Sequence, residues 1–158
     1  MEKPVKRTKR AKSGDVLRIP MDETRWSYGQ VTEDQSVVVY NIITTEEVDI
    51  STVSTHPFLF RIHVMRSALN GKEWPVVGHL PLSEELQHPA EFLSMRSDYD
   101  REKFYGTVDG SVHYPIPRER VNHLELLSVY EPIDVSERLF LHAQGKPDPS
   151  VEAMRIKE

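Results

Sequence analysis

The sequence predicts a mainly β fold of the α+β class: a small antiparallel barrel or strongly twisted sheet with one or two short helices. Three observations point to it. Apolar residues fall in short runs with alternating, strand-like spacing, and turn-forming residues separate those runs. Helical periodicity is confined to brief stretches. At 158 residues and 38% hydrophobic, with no internal repeat and no low-complexity linker, the chain is long enough for one core and no more. The expected organisation is a basic arm over 1–12, a single domain over 13–144 and a flexible tail over 145–158.

The elements follow in order. Asp15-Val16-Leu17-Arg18-Ile19-Pro20 puts Leu17 and Ile19 on one face and ends at Pro20, giving a first strand. After a turn over 21–25, Trp26-Ser27-Tyr28-Gly29-Gln30-Val31 makes a second. The acidic turn Glu33-Asp34-Gln35 leads into a third over 36–42, and the three form an antiparallel meander. Phe58, Phe60, Ile62 and Val64 alternate with Leu59, Arg61, His63 and Met65, so a fourth strand should bury the first set and turn Arg61 and His63 outward. Asn70-Gly71-Lys72 is a turn, and 74–79 gives a fifth strand, with Pro75 marking an edge or a strand start. Ser83 before Glu84 and Glu85 caps one helical turn through Leu86. The stretch 89–117 mixes charges with Phe104, Tyr105 and Gly106 and suggests a charged loop. Around Leu124, Leu126 and Leu127, helix and strand are equally consistent. Asp134 and Glu137 resemble a capping box for a helix over 135–143, with Gly145 as its stop.

Charge is unevenly placed. Lys3, Lys6, Arg7, Lys9, Arg10 and Lys12 face only Glu2 within the arm; the whole chain carries −5, so the body is about ten charges negative. An acidic body repels phosphate backbones and attracts basic partners, which makes nucleic acid an unfavoured ligand. The arm reads as a solvated terminus, with a phosphate-binding arm as the second reading. No apolar run approaches the roughly 20 residues of a membrane span, and the N-terminus has no apolar signal region, so a cytoplasmic protein is expected. The absence of cysteine removes disulfides, thiolate nucleophiles and cysteine-based zinc sites.

Catalytic patterns are sparse. His56, His63, His79, His88, His113, His123 and His142 supply imidazoles, and Asp98, Asp100 and Asp109 supply hard oxygen ligands, but no HExxH spacing gathers them, so no metal and no cofactor is expected. Ser111 and His113 share a strand face, yet no GxSxG elbow accompanies them. Phosphate-cradling and dinucleotide glycine patterns are missing. Trp26, Tyr28 and Trp74 are assigned to the core, with an aromatic recognition face as the alternative.

One resemblance goes further. Gly14-Asp15-Val16-Leu17-Arg18-Ile19-Pro20 followed by Trp26-Ser27-Tyr28-Gly29-Gln30-Val31 resembles the opening of the Immunity 26 / phosphotriesterase HocA family. Gln30 stands where that family usually has a basic residue. Trp74-Pro75-Val76-Val77-Gly78 before Leu80-Pro81-Leu82 is similar to its second recurring segment, and Glu131-Pro132-Ile133 leading to Glu137-Arg138-Leu139 resembles its ending. The likeness covers about 14–140. It implies a bacterial, cytoplasmic, mainly β protein that binds and neutralises a cognate toxin of a polymorphic toxin system. It also implies structural roles for Gly14, Asp15, Pro20, Tyr28, Gly29, Trp74 and Gly78, with Gly14 opening a turn and Asp15 fixing it through a side-chain to backbone bond. The label's other half implies a metal-dependent phosphotriester hydrolase, but no catalytic residues match a motif. A nucleic-acid-associated module using the basic arm is the third reading. On the leading reading the protein occludes a toxin surface that is itself basic, and Glu33, Asp34, Glu46, Glu47 and Asp49 are the expected contacts.

Overall fold

The computed structural model describes residues 10–94, 103–153 and 155. Asp98 and Asp100 lie outside these residues, as do positions 1–9 of the basic arm.

The meander forms as its pattern predicts. Strands β1 (Asp15–Pro20), β2 (Trp26–Val31) and β3 (Val37–Tyr40) pair antiparallel, and β4 (Phe58–Val64) continues the sheet after the one-turn helix α1 (Ile50–Val53). Strand β5 (Val76–His79) returns to the free side of β1, so Pro75 precedes an edge strand, where a missing donor costs no ladder bond. At the opposite edge the two-residue β9 (Val129–Tyr130) pairs parallel to β4, giving the order β5-β1-β2-β3-β4-β9. This sheet is open at both edges. The twisted-sheet form of the expectation therefore holds rather than the barrel.

Both faces of the sheet are covered. On one side Leu17, Ile19, Val31, Val37, Val39, Phe60, Ile62 and Val64 form a core with Trp74 and with Val135 and Leu139 of the long helix α2 (Pro132–Ala143). On the other, Val16, Tyr28, Val38 and Tyr40 pack against Val53 and Leu86. Burial from both sides explains why β3 reads Val-Val-Val-Tyr rather than alternating. It also corrects the reading of β4. Arg61 and His63 do not face water: the Arg61 side chain is 13% exposed, and the His63 ring lies 4.9 Å from that of Phe92. Phe58, assigned to the core, is exposed instead.

The described residues of the stretch 89–117 form strands. The stretch contains β6 (Phe92–Leu93), β7 (Phe104–Thr107) and β8 (His113–Ile116), which pair antiparallel as a second sheet with Leu93, Phe104 and Ile116 around Val121. Single-residue signals missed it because these strands are short and β8 contains Pro115, tolerated on an edge. Arg118–His123 is a 3-10 turn, as is Glu84–Gln87, where Ser83 occupies the cap position without a side-chain bond. Helix α2 begins three residues before the expected start. Glu131 caps it, Pro132 takes the first position, and Asp134 is the reciprocal partner in the capping box, its Oδ2 accepting the Glu131 N–H at 3.0 Å. After Gly145, a one-turn helix α3 (Pro149–Glu152) is capped by Asp148.

Candidate partner-binding site

The five acidic residues expected to form one contact separate into two groups at opposite ends of β2. Glu33 and Asp34 lie in the β2–β3 turn, while Glu46, Glu47 and Asp49 lie on the segment that crosses the start of β2.

Asp34 is committed to the fold. Its Oδ1 accepts from the Thr32 hydroxyl at 2.5 Å, the Ser36 hydroxyl at 2.6 Å and Arg61 Nη2 at 3.0 Å, and its Oδ2 accepts the Ala90 N–H at 3.3 Å. Burial alone would raise this carboxyl, but the Ser36 and Thr32 hydroxyls and the Arg61 guanidinium outweigh it and hold the group well below the ordinary carboxylate range. Glu33 beside it is exposed.

The second group sits on a firmly mounted loop. Trp26 and Thr44 exchange both backbone bonds, at 3.0 and 2.9 Å. The Thr44 hydroxyl accepts the Glu46 N–H and donates to the Glu46 carbonyl, both at 3.0 Å. The Val48 N–H then reaches the Tyr28 hydroxyl at 3.2 Å, which also receives Trp26 Nε1–H at 3.1 Å. Asp49 closes the segment by capping α1, accepting from the Ser51 N–H and hydroxyl, and these bonds lower its pKa. Glu46 and Glu47 are left exposed. Beside them is a cavity of about 260 Å³ lined by Arg18, Tyr28, Glu47, Val48, Ile50 and Val77, with the Arg18 guanidinium 3.6 Å from the centroid of Trp26.

The positions marked by the resemblance are spread over both faces of the same sheet. Gly14, at φ +91°, makes the turn into β1, and Asp15 Oδ2 accepts the Lys12 N–H at 2.9 Å while Oδ1 lies 3.0 Å from His79 Nδ1. Gln30 is buried, so the position suits a carboxamide that bonds both ways: Nε2 donates to the carbonyls of Gly14 and Leu80, and Oε1 accepts from the Tyr40 hydroxyl at 2.8 Å. Gly78 gives Ile50 room, since a Cβ there would stand 2.8 Å from Ile50 Cδ1; at Gly29 one would meet Ile19 Cδ1 at the same distance. Pro20 ends β1, and its carbonyl accepts from the Ser136 hydroxyl at 2.7 Å. Trp74 and Tyr28 are buried and Trp26 is half-buried, which places these aromatics in the packing. Because the Tyr28 hydroxyl is the hinge pin of the acidic loop, Tyr28→Phe should cost about 1–2 kcal/mol. Amide exchange should speed up most at Val48; an unchanged rate there would mean the loop is held by other contacts.

Among the described residues, the chemistry considered for catalysis is dispersed. Ser111 donates to Asp109, whose pKa these bonds lower, and not to His113. His113 instead pairs with Ser94, with Oγ to Nδ1 at 2.6 Å, while its Nε2 lies 3.0 Å from the Gly110 carbonyl. Ser94 is 6% exposed. His142 meets Asn41 at 3.2 Å, and His79 is held by Asp15. Among the described residues no three His, Asp or Glu side chains are grouped to hold a metal ion, and no helix is long and apolar enough to cross a membrane.

A family model described as Immunity protein 26 matches residues 12–103, more than half of the chain. The chain belongs to the Immunity protein 26 family. No match was found among curated proteins or solved structures. The description of the Immunity protein 26 family carries an immunity role in general terms; the phosphotriesterase half of the resemblance has no counterpart in it. The matched stretch contains β1 to β6, α1 and the acidic loop, while β7, β8, β9, α2 and α3 lie beyond it.

Proposed function

We propose that this protein neutralises a cognate bacterial toxin in the cytoplasm by seating the 44–49 loop on a basic surface of that toxin and occluding it. Family membership carries the reading. Charge and geometry support it. The body is strongly acidic, and Glu46 and Glu47 stand on a backbone already tied down at Thr44, Val48 and Asp49, so little ordering entropy is lost on docking. Asp49 adds its charge without being free to rearrange, and Glu33 belongs to a second, outlying patch. The body over 13–144 is the binding unit, with the arm and tail outside it.

Co-expression with a cognate toxic domain should protect cells, and a failure to protect would reject the reading. For the contact itself, the Glu46→Lys/Glu47→Lys double variant should slow association with that domain about tenfold at low salt and flatten its salt dependence. Unchanged association kinetics would move the contact away from this loop.

A further inference from the structure

The cavity of about 260 Å³ beside the acidic loop is lined by hydrogen-bonding groups that the fold leaves unused. Arg18 and Tyr28 are direct cross-strand partners on β1 and β2, so both side chains leave the same face of the sheet, and both line the cavity. The Arg18 guanidinium is held over the Trp26 ring, yet among the described residues no carboxylate, carbonyl or hydroxyl accepts from it. Its fork of N–H donors is unspent. Tyr28 is 3% exposed, and its hydroxyl accepts from the Val48 N–H and from Trp26 Nε1–H but donates to nothing among the described residues. A buried hydroxyl whose lone pairs are both engaged and whose proton is not calls for an acceptor from outside.

One acceptor-only group shares the cavity. Glu47 lines it, is exposed, and has no hydrogen-bond or ion-pair partner among the described residues, Arg18 included. The remaining lining is aliphatic, with Val48, Ile50 and Val77. Bonds at Thr44, Tyr28 and Asp49 hold the loop wall, and Ile50 is seated against Gly78, so the site is built before any ligand arrives. Its charges, one cation and one anion, cancel. A carboxylate ligand would satisfy Arg18 and Tyr28 but meet Glu47 as a like charge, and an ammonium ligand would do the reverse. A primary carboxamide satisfies all three: its oxygen accepts from Arg18 and Tyr28, and its NH₂ donates to Glu47.

We propose that this cavity receives a glutamine side chain of the toxin, seated beside the basic groups that meet Glu46 and Glu47. The carboxamide spans the donors and the acceptor, and the glutamine methylenes pack on Val48, Ile50 and Val77. That the glutamine belongs to a toxin rests on the proposed function; the preference for a carboxamide rests on the cavity alone.

The probes are N-acetyl-glutamine N-methylamide and N-acetyl-glutamate N-methylamide, titrated by NMR into the full-length chain. Saturable methyl shifts are expected at Val48, Ile50 and Val77, with the glutamine probe bound about fivefold more tightly than the glutamate probe. Arg18→Met, which keeps an unbranched chain over Trp26, should weaken the glutamine probe about tenfold, and Arg18→Lys, which keeps the charge without the planar fork, should fall between. Glu47→Gln, an exposed substitution that leaves the site cationic, should shift the preference about fivefold or more toward the glutamate probe. The proposal is overturned by no saturable binding, by shifts elsewhere, by undiminished affinity in Arg18→Met, or by a preference that Glu47→Gln leaves unchanged. Equal binding of the two probes to the wild-type chain also overturns it, since their shared backbone amides would then be the bound groups. No toxin enters these titrations, so their failure strikes this site alone, whereas a failure to protect cells strikes the reading that supplies the occupant.

Discussion

Asp34→Ala is expected to destabilise the protein by about 3–5 kcal/mol, because it removes one partner of a largely buried ion pair and leaves the other charge behind. The Arg61 guanidinium would keep its bond to the His88 carbonyl at 2.8 Å but lose its only anion among the described residues, while the Thr32 and Ser36 hydroxyls and the Ala90 N–H lose their acceptor. Arg61→Ala should cost less, since Asp34 would retain those neutral donors. In thermal melts, the aspartate variant should drop by roughly 10 °C. A change within about 0.5 kcal/mol of wild type, the range of an ordinary surface substitution, would show that the network contributes nothing.

The same site sets a pH signature. The folded-state pKa of Asp34 lies below its ordinary value of 3.8, so its contribution is fully present above that pH and is lost as pH falls toward the lower folded value. The gap between wild type and Asp34→Ala should therefore narrow in acid below pH 3.8. His63 works at a higher pH. Burial pushes its imidazole below 6.5, against a smaller upward pull from Asp34, so the neutral ring's contribution is complete above 6.5 and declines below it as the unfolded chain takes up the proton. Stability measured from pH 8 downward should fall in two stages, and His63→Phe should remove the first.

Trp74→Ala should cost a further large amount, about 3–5 kcal/mol, through the cavity left when a buried indole is removed. Trp74 is 1% exposed and packs in the core that joins the sheet to α2 through Leu17, Val135 and Leu139. The acidic loop packs on the opposite face of the sheet through Val48 and Ile50. Trp74→Phe should recover much of the loss. Toxin association per folded molecule should stay unchanged in both variants, and a lost association rate with stability intact would instead make Trp74 a recognition residue.

The elements legible in the sequence are those whose signals are local. β1 and β4 announce themselves by alternation, β3 by an unbroken β-branched run, and turn chemistry at 21–25 and 33–35 marks off β1, β2 and β3, while the exposure of Glu46 and Glu47 follows from their place in a polar loop. Asp34 looks the same in sequence as Glu33. What separates them is Arg61, 27 positions away, whose side chain is turned inward because a second layer covers that face of the sheet. The role of the Tyr28 hydroxyl depends likewise on Val48, 20 positions on. The second sheet was hidden because its strands are short and satisfy their backbone only by pairing with one another. The start of α2 was misplaced because a glutamate cap is a weak signal, overridden by Pro132 and the reciprocal bond from Asp134.

Residue spacing and composition were enough to determine a β meander with an acidic, cysteine-free body, since backbone period and turn preference act over a few residues. Tertiary structure alone decided which carboxylates are committed to the fold and which face outward. Those outcomes depend on charge pairing and burial between segments far apart in the chain, and they appear only once both faces of the sheet are covered.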